Sequence, residues 1–564
     1  MSNAIQSYGQ DVLNENYFNL SKLFKLNGDY IAILRGDKGN NNNNNNKMEI
    51  SFSKWSTELV KILNELNKKQ IIPTKTDTTK RYLCGIYSDN NCEALNAILI
   101  LWKLNIVPFF IPKTYPKSKV IDVLKKYSIE LLISDTEFNL NNSNSNEELS
   151  KRVKVISTGM FRFRTSKLNN VNNVNNEIEI EIEIEIEEMN IPLENEAFVM
   201  FSGGGGSRGG EGRKPVVHTF KSMLMSAIGT IRFYKMEKGD SCLLSLPLYH
   251  VGGLMIFIRS ILNGCKLIIP TRTSNSTLDL ENAIHQHSPD FISLVATQFI
   301  RLIVIERLSY QFSKMKAIII GGGPTPGWPI KLAKEKNYPV SLTYGSTEMC
   351  SQVTATSCMT ADDFLLNHSS CHSNGHYSSS LISAGKVLDF RQLKVNEDKE
   401  IYLRGETLFK GYLTEEGEVT APVSLLDIDV DVKEIEWFAS GDLGFIDENG
   451  ELHLIGRKDN IFISGGEKID PQEIENHIKE ITWVADAIVV SVPHKEFGEV
   501  PWCFIESIKK IPIKKVINFL KERIPSYMIP KGIIFLEENN NFKEIKYDRK
   551  ALKEYAMKLF NDFK

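Results

Sequence analysis

Apolar residues between positions 50 and 135 switch repeatedly between two periods. Helical spacing over 55–66 gives way to a short apolar run at 82–87, then to a helix over 94–104 and a run at 107–111. A further helix over 120–127 leads to a strand at 130–134. Runs of four to six apolar residues separated by helical segments predict strands of a parallel sheet covered by helices. The rhythm resumes at Ala197-Phe198-Val199-Met200, which reads as a buried strand. It continues with a helix over 220–234, a strand over 241–246, a helix carrying Arg259 and a strand over 267–269. Ile318-Ile319-Ile320 then runs into Gly321, Gly322, Gly323 and Pro324, and a strand over 340–343 runs into Tyr344, Gly345, Ser346, Thr347 and Glu348. Strand after strand ends in small and polar residues. Ligands of α/β sheets collect at the carboxyl ends of strands.

Two tracts break the pattern. Positions 40–46 are all asparagine, and 169–188 pass from Asn/Val repeats into Glu-Ile alternation. Alternation is a strand signature, yet purity of this kind is a low-complexity feature, so both are read as dispensable surface inserts, near 39–47 and 167–190. At 564 residues the chain is too long for one core. Apolar content of 42% and charged content of 24% are ordinary for a globular protein. A net charge of −3 gives no electrostatic case for nucleic acid. The longest apolar candidate, 97–112, is interrupted by Lys103 and Asn105, so no membrane span is expected. The first residues lack the basic and apolar regions of a secretory signal, and the 8 cysteines form no CxxC pair. These features lead us to expect a soluble protein of a reducing compartment, and cytoplasm or plastid stroma is the expected location.

The most distinctive stretch is Phe201-Ser202-Gly-Gly-Gly-Gly-Ser207-Arg208-Gly-Gly-Glu211-Gly-Arg213-Lys214. Glycine lets backbone amides turn inward and approach an anion, and a lysine at the end of such a nest suits a polyphosphate. The same glycine content also fits a flexible linker. No Gly-Lys-Ser/Thr follows, so this is not a Walker A loop. His368-x-x-Cys371-His372-x3-His376 has metal-ligand residue types but lacks the second half of a familiar zinc pattern.

Taken in order, the motifs resemble those of the AMP-forming adenylating superfamily, which includes acyl- and aryl-CoA ligases, peptide-synthetase adenylation domains and luciferases. They are the glycine loop ending at Lys214, Gly321 to Pro324, Tyr344 to Glu348, Ser440-Gly441-Asp442, Gly456-Arg457-Lys458-Asp459, Ser464-Gly465-Gly466-Glu467-Lys468-Ile469 and Lys546-Tyr547-Asp548-Arg549-Lys550. The resemblance implies an α/β fold: a large N-terminal AMP-binding domain, 1–458, with stacked mainly parallel sheets, and a smaller mobile α+β lid, 459–564, hinged at Asp459. It implies that Lys214, with Ser202 and Ser207, holds phosphates, that Thr347 hydrogen-bonds a phosphate, and that Glu348 holds Mg2+. Gly321, Gly322, Gly323, Pro324, Tyr344 and Gly345 would border the adenine, and Asp442 would accept the ribose hydroxyls beside Arg457. Lys546 would bridge carboxylate and α-phosphate, and Gly465 and Gly466 would meet the pantetheine arm of CoA. Singly, Glu348 also fits a helix N-terminal acid, Asp442 a turn and Lys546 a solvated helix residue. The glycine loop departs from the family's Ser-Gly-(Ser/Thr)-Thr-Gly-x-Pro-Lys: its central hydroxyl pair is missing, Arg213 replaces the proline, and Ile545 replaces a glycine before Lys546.

Two patterns are similar to the o-succinylbenzoate–CoA ligase branch of quinone biosynthesis (menaquinone and phylloquinone). One is Lys214-Pro215-Val216-Val217-His218-Thr219; the other is Pro247-Leu248-Tyr249-His250-Val251-Gly252-Gly253-Leu254, followed by Arg259. By that resemblance His250 and Arg259 border the acyl substrate, with Arg259 facing the carboxylate that is not activated. The implied reactants are a small carboxylate, ATP with Mg2+, and CoA, and a homo-oligomer is compatible with the sequence. Alternatives are another acyl- or aryl-CoA synthetase, an adenylation enzyme that loads a carrier protein, and a nucleotide-binding relative with impaired catalysis.

Overall fold

The computed structural model describes residues 17–27, 31–35, 48–69, 81–89, 91–138, 152–162, 190–203, 213–271, 276–358, 382–421, 424–427, 435–536 and 547–562. The asparagine run, the Glu-Ile tract, Ser207, Lys546 and the cluster His368, Cys371, His372 and His376 lie outside the described residues. Contacts divide the chain into two units. One holds Met1–Phe201, Pro215–Thr271 and Phe409–Ala421, and the other holds Ser202–Lys214, Arg272–Leu408 and Pro422–Lys564.

In the first unit, β1 (Leu83–Tyr87), β2 (Val107–Phe110), β3 (Leu131–Ser134) and β4 (Lys154–Ser157) form a parallel array in spatial order β2-β1-β3-β4. The helices α1 (Cys92–Lys103) and α2 (Lys117–Lys126) are the crossovers that parallel pairing requires. Asn91 caps α1, its side chain accepting from the Ala94 amide at 2.7 Å. β5 (Glu196–Phe201) extends the array in parallel, and β6 (Pro215–Thr219) turns back antiparallel, with Val217 opposite Val199. The glycine loop is therefore the connection of a hairpin. Its exit, Pro215–Thr219, is a fully buried strand. α3 (Phe220–Phe233) follows, capped by Thr219. A second layer of this unit pairs β7 (Ser241–Leu243) in parallel with β8 (Lys266–Ile269). β7 ends three residues earlier than the expected 241–246. Between them α4 (Val251–Asn263) is apolar on every side, and it is buried from Gly253 to Asn263.

The second unit opens with parallel strands β9 (Phe291–Val295), β10 (Ala317–Gly321) and β11 (Val340–Ser346), with α5 (Ala296–Ile303) after β9 and α6 (Gly327–Glu335) after β10. β12 (Ser351–Ala355) folds back antiparallel on β11. An antiparallel layer follows, in which β13 (Ile435–Ile446) pairs with Glu400–Gly405 on one side and with β14 (Leu452–Arg457). The two large sheets are thus mixed, with parallel centres and antiparallel additions, while the described pairings of the β13 layer are all antiparallel.

Residues after Asp459 form a layer with its own cores inside this second unit. β15 (Phe462–Ser464) and β16 (Glu467–Ile469) make a hairpin, and α7 (Pro471–Lys479) leads to the long antiparallel pair β17 (Val484–His494) and β18 (Gly498–Ser507). After α8 (Ile513–Lys521), β19 (Gly532–Leu536) joins β18 in parallel, and α9 (Arg549–Asp562) closes the chain. β17 alternates between two cores: Ala487 and Val489 pack in the cluster with Ile474 and Ile478 of α7, while Ile488, Val490 and Val492 pack with Leu552 and Ala556 of α9. Burial on both faces explains why Ala487–Val490 at its centre is a continuous apolar run rather than an alternating one.

Asp470 caps α7 by accepting from the Gln472 amide at 2.9 Å. Burial pushes its carboxyl up to about 6, with Glu475 and Glu473 adding to the rise. A carboxyl raised in the folded state favours folding below its unfolded pKa, near 4, and that contribution is lost as pH rises through about 6. We expect Asp470→Asn, which keeps the cap, to remove about 2–3 kcal/mol of stability change between pH 4 and pH 7. Chemical denaturation of both proteins across that range measures it, and identical pH slopes would contradict it.

Candidate nucleotide site

Three strands of the second unit bring their functional residues to one edge. β10 ends at Gly321 and β11 continues through Tyr344 and Gly345. A Cβ on Gly321 would stand 2.5 Å from the Thr343 hydroxyl, so the close passage of the two strands there needs glycine. The β11–β12 turn carries Thr347 and Glu348. It is tight enough that a Cβ on Gly345 would lie 2.0 Å from the Ser351 carbonyl oxygen. The Met349 amide donates to Ser346 Oγ at 3.2 Å, and the Cys350 amide to the Thr347 carbonyl at 3.1 Å. Thr347 is buried and Glu348 half-buried. Gly322, Gly323 and Pro324 are exposed beyond β10.

Opposite this turn stands Asp442. The β13–β14 register pairs it with Arg457, whose Nη1 donates to Asp442 Oδ1 at 2.9 Å. Tyr344 donates its hydroxyl to the other carboxylate oxygen, Oδ2, at 2.7 Å. Ser440 holds the backbone, accepting from the Asp442 amide at 3.0 Å while donating to the Ile401 carbonyl. Burial and the Asp442 charge push the Tyr344 phenol well above its ordinary pKa, so it stays a donor. Burial alone would lower the Arg457 pKa, but Asp442, Asp459, Tyr344 and Glu348 carry it above the ordinary value. Arg457 therefore feels the carboxylate of Glu348 as well as that of Asp442. Asp459, the expected hinge, is exposed, with its carboxylate 3.9 Å from Arg457 Nη2.

At the mouth of the glycine loop, Ser202 and Lys214 face each other. The Ser202 amide donates to the Lys214 carbonyl at 2.8 Å, and the Lys214 amide to Ser202 Oγ at 3.2 Å. The retained serine thus closes the loop rather than standing open at it. Gly465 and Gly466 form the exposed turn of the β15–β16 hairpin, where the Gly465 amide donates to the Phe497 carbonyl at 2.9 Å. No described group of three or more His, Cys, Asp or Glu is arranged to hold a metal, and no described helix is long and apolar enough to cross a membrane.

The two residues expected at the acyl substrate belong to the first unit. His250 is the N-cap residue of α4, half-buried, with its ring against Tyr249. Arg259 lies inside the apolar helix at 3% exposure. Burial lowers its pKa, offset by Cys242, Tyr234 and Cys265. Its guanidinium in turn helps to lower the Cys242 thiol, for which the hydrogen bond with Cys265 is the largest cause.

Sequence reading missed the residues that join the C-terminal layer to the rest of the unit. Glu506 of β18 accepts from Arg301 of α5 and, at 2.8 Å, from the Tyr547 hydroxyl. Trp328 Nε1 donates to the Val484 carbonyl at 3.1 Å. Partners separated by 205 and 156 positions leave no local signal.

The profile of the AMP-binding enzyme family matches residues 75–413, and that of the AMP-binding enzyme C-terminal domain matches 473–543. A 2-succinylbenzoate–CoA ligase of Bacillus pumilus is 29% identical over 375 residues, covering 65% of this chain and 70% of that protein. The enzyme of the same name from Listeria monocytogenes is 28% identical over 362 residues, covering 64% and 70%. The Bacillus subtilis o-succinylbenzoate CoA synthetase structure with its acyl-adenylate intermediate superposes with a TM-score of 0.69 at 22% identity, covering 94% of this chain and 97% of that one. A structure of the same enzyme with ATP and magnesium ion gives the same TM-score and identity over 95% and 100%. With a family profile spanning more than half of its length, the chain belongs to the AMP-binding enzyme family.

Proposed function

We propose that this protein joins 2-succinylbenzoate to CoA, consuming ATP and releasing AMP and diphosphate, through an acyl-adenylate. The observation that carries the reading is the Asp442 carboxylate, fixed by Tyr344 and Arg457 at the strand edge that also bears Gly321 and Glu348. A carboxylate with each oxygen oriented by a donor is an acceptor for paired hydroxyls, as a ribose presents. Similarity to 2-succinylbenzoate–CoA ligases of Bacillus pumilus and Listeria monocytogenes supports the substrate.

In the first step a carboxylate oxygen of the acid bonds to the α-phosphorus, and the bond to the leaving diphosphate breaks. Both partners are anions, so the site must neutralise charge and hold the attack in line. Asp442 would orient the ribose, Tyr344 and the glycines after β10 would border the adenine, and Lys214 would meet the phosphates. Half-buried Glu348 fits a divalent cation that keeps phosphate oxygens among its ligands, and Mg2+ there would supply charge neutralisation. Lys546 would approach the α-phosphate. In the second step the CoA sulfur bonds to the acyl carbon and AMP departs with the carboxylate oxygen. We assign residues 459–564 as the lid that changes position between the steps about Asp459, exchanging Lys546 for the Gly465–Gly466 turn. With Ser202 bonded to Lys214 and no central hydroxyl pair in the loop, slower adenylation than in relatives with the full motif is expected.

Arg259 supports two readings. As the cation for the benzoate carboxylate it would make this dianion the preferred substrate. Its burial beside Cys242, Cys265 and Tyr234 is equally compatible with a structural role, which would leave the activity as CoA ligation of a less narrowly defined acid.

Three outcomes are expected. Diphosphate release from ATP, measured across a panel of small carboxylic acids, should be fastest with 2-succinylbenzoate; equal rates across the panel would remove the substrate assignment. Asp442→Asn should weaken binding of a non-hydrolysable ATP analogue by about 1–3 kcal/mol in calorimetry, and unchanged affinity in a folded variant would refute the ribose role. A substrate role for Arg259 predicts that Arg259→Ala lowers kcat/KM for 2-succinylbenzoate by about 2–4 kcal/mol in transition-state terms while sparing a neutral-tailed aryl acid, with Arg259→Lys in between. Parallel losses for the two acids would establish the structural reading.

A further inference from the structure

The C-terminal layer carries a local charge opposite to that of the whole chain. Between 508 and 523 stand five lysines and one arginine against a single acid, Glu522, in a protein of net charge −3. The stretch opens as Ile508-Lys509-Lys510-Ile511-Pro512-Ile513-Lys514-Lys515 and leads into α8. Val516 and Leu520 of α8 pack with Ile511 and Ile524 in the core shared with α7. Lys514, Asn518 and Lys521, spaced i, i+4 and i+7, therefore line the opposite side of the helix, and all three are exposed. Lys510, just before the helix, and Lys515, next to Lys514, are exposed as well.

The other two cations are engaged. Lys509 Nζ lies 3.7 Å from the centroid of the Trp483 ring. Arg523 covers Phe519 and pairs with Glu480 and Glu522, so the one acid of the stretch is directed to it. Among the described residues no carboxylate forms an ion pair with Lys510, Lys514, Lys515 or Lys521. Like charges gathered on one surface repel one another, and an anionic counterpart relieves that repulsion. Two aliphatic side chains stand among these cations. Ile508 and Ile513 are 37% and 45% exposed, although Ile511 between them is buried. Such side chains offer nothing to a nucleic-acid backbone. They do partition into the acyl boundary of a lipid leaflet, while lysines reach the headgroup phosphates.

We propose that the face from Ile508 to Lys521 is a reversible docking surface for an anionic lipid bilayer, with Lys510, Lys514, Lys515 and Lys521 on the headgroups and Ile508 and Ile513 at the acyl boundary. Each lysine near a charged leaflet strengthens binding about fivefold. The isoleucines add an apolar contribution that salt does not screen. Docking of this kind needs no spanning helix, and it is independent of which acid the enzyme activates.

The test uses the full chain with vesicles of phosphatidylcholine containing about one third phosphatidylglycerol, with pure phosphatidylcholine vesicles and with a double-stranded DNA oligonucleotide. Wild type should float with the anionic vesicles and not with the neutral ones, and the bound fraction should fall as salt rises. The double variant Lys514→Gln/Lys515→Gln should bind the anionic vesicles about 25-fold more weakly. Ile513→Ser should cost about fivefold and leave the salt dependence unchanged. All three positions are exposed, so unfolding midpoints close to wild type are expected and check that the variants are folded. No flotation of the wild type, or flotation that neither variant weakens, would overturn the proposal. Binding to the oligonucleotide without a preference for anionic vesicles, lost in the lysine variant and kept in Ile513→Ser, would overturn it in favour of nucleic acid.

Discussion

The candidate site depends on one ionised carboxylate being kept in one orientation. Asp442 sits on a strand whose partner supplies Arg457 in direct register, and Tyr344 arrives from a different sheet to bond the second oxygen. A carboxylate at this depth needs a cation and donors to remain charged. Arg457 answers with a charge that Asp459 and Glu348 also stabilise. The antiparallel layer thereby becomes part of the nucleotide edge rather than a separate decoration. The hinge candidate, Asp459, stands two residues after the arginine that holds Asp442.

Much of this was legible in the sequence, for a physical reason. The glycine loop, the strand-end glycines, Tyr344 and the Ser440-Gly441-Asp442 turn are local features, because a tight turn or a close backbone approach constrains adjacent residues. The Asp442–Arg457 pair spans 15 positions across one hairpin and is nearly local too. The Arg301–Glu506–Tyr547 bonds were not legible, since nothing in the helix Ala296–Ile303 marks its arginine as a partner for a strand 205 positions away. The short strands between 386 and 457 were also unread, because edge strands of two to six residues carry too few alternations to stand out. Arg259 is placed at the substrate by a family pattern and is buried on an apolar helix beside Cys242, and burial alone does not decide between a substrate role and a structural one.

One of the departures from the family pattern has a structural counterpart. Ser202 and Lys214 close the base of an altered loop on each other, which keeps the hairpin mouth formed although the central hydroxyls are missing. The Asp470 carboxyl, raised by burial beneath α7, sits against Gly456, one residue before Arg457; a Cβ on that glycine would lie 2.8 Å from Asp470 Oδ2. The C-terminal layer is thus packed closely against the strand that carries Arg457.

The central claim is that the carboxylate oxygen of the acid becomes bonded to the α-phosphorus of ATP. The most direct measurement follows oxygen-18 from the aliphatic carboxylate of labelled 2-succinylbenzoate through complete turnover with ATP and CoA, with mass analysis of the nucleotide product. Transfer through an acyl-adenylate delivers one labelled oxygen to AMP. Label in inorganic phosphate with ADP as the nucleotide product, or unlabelled AMP, would contradict the account.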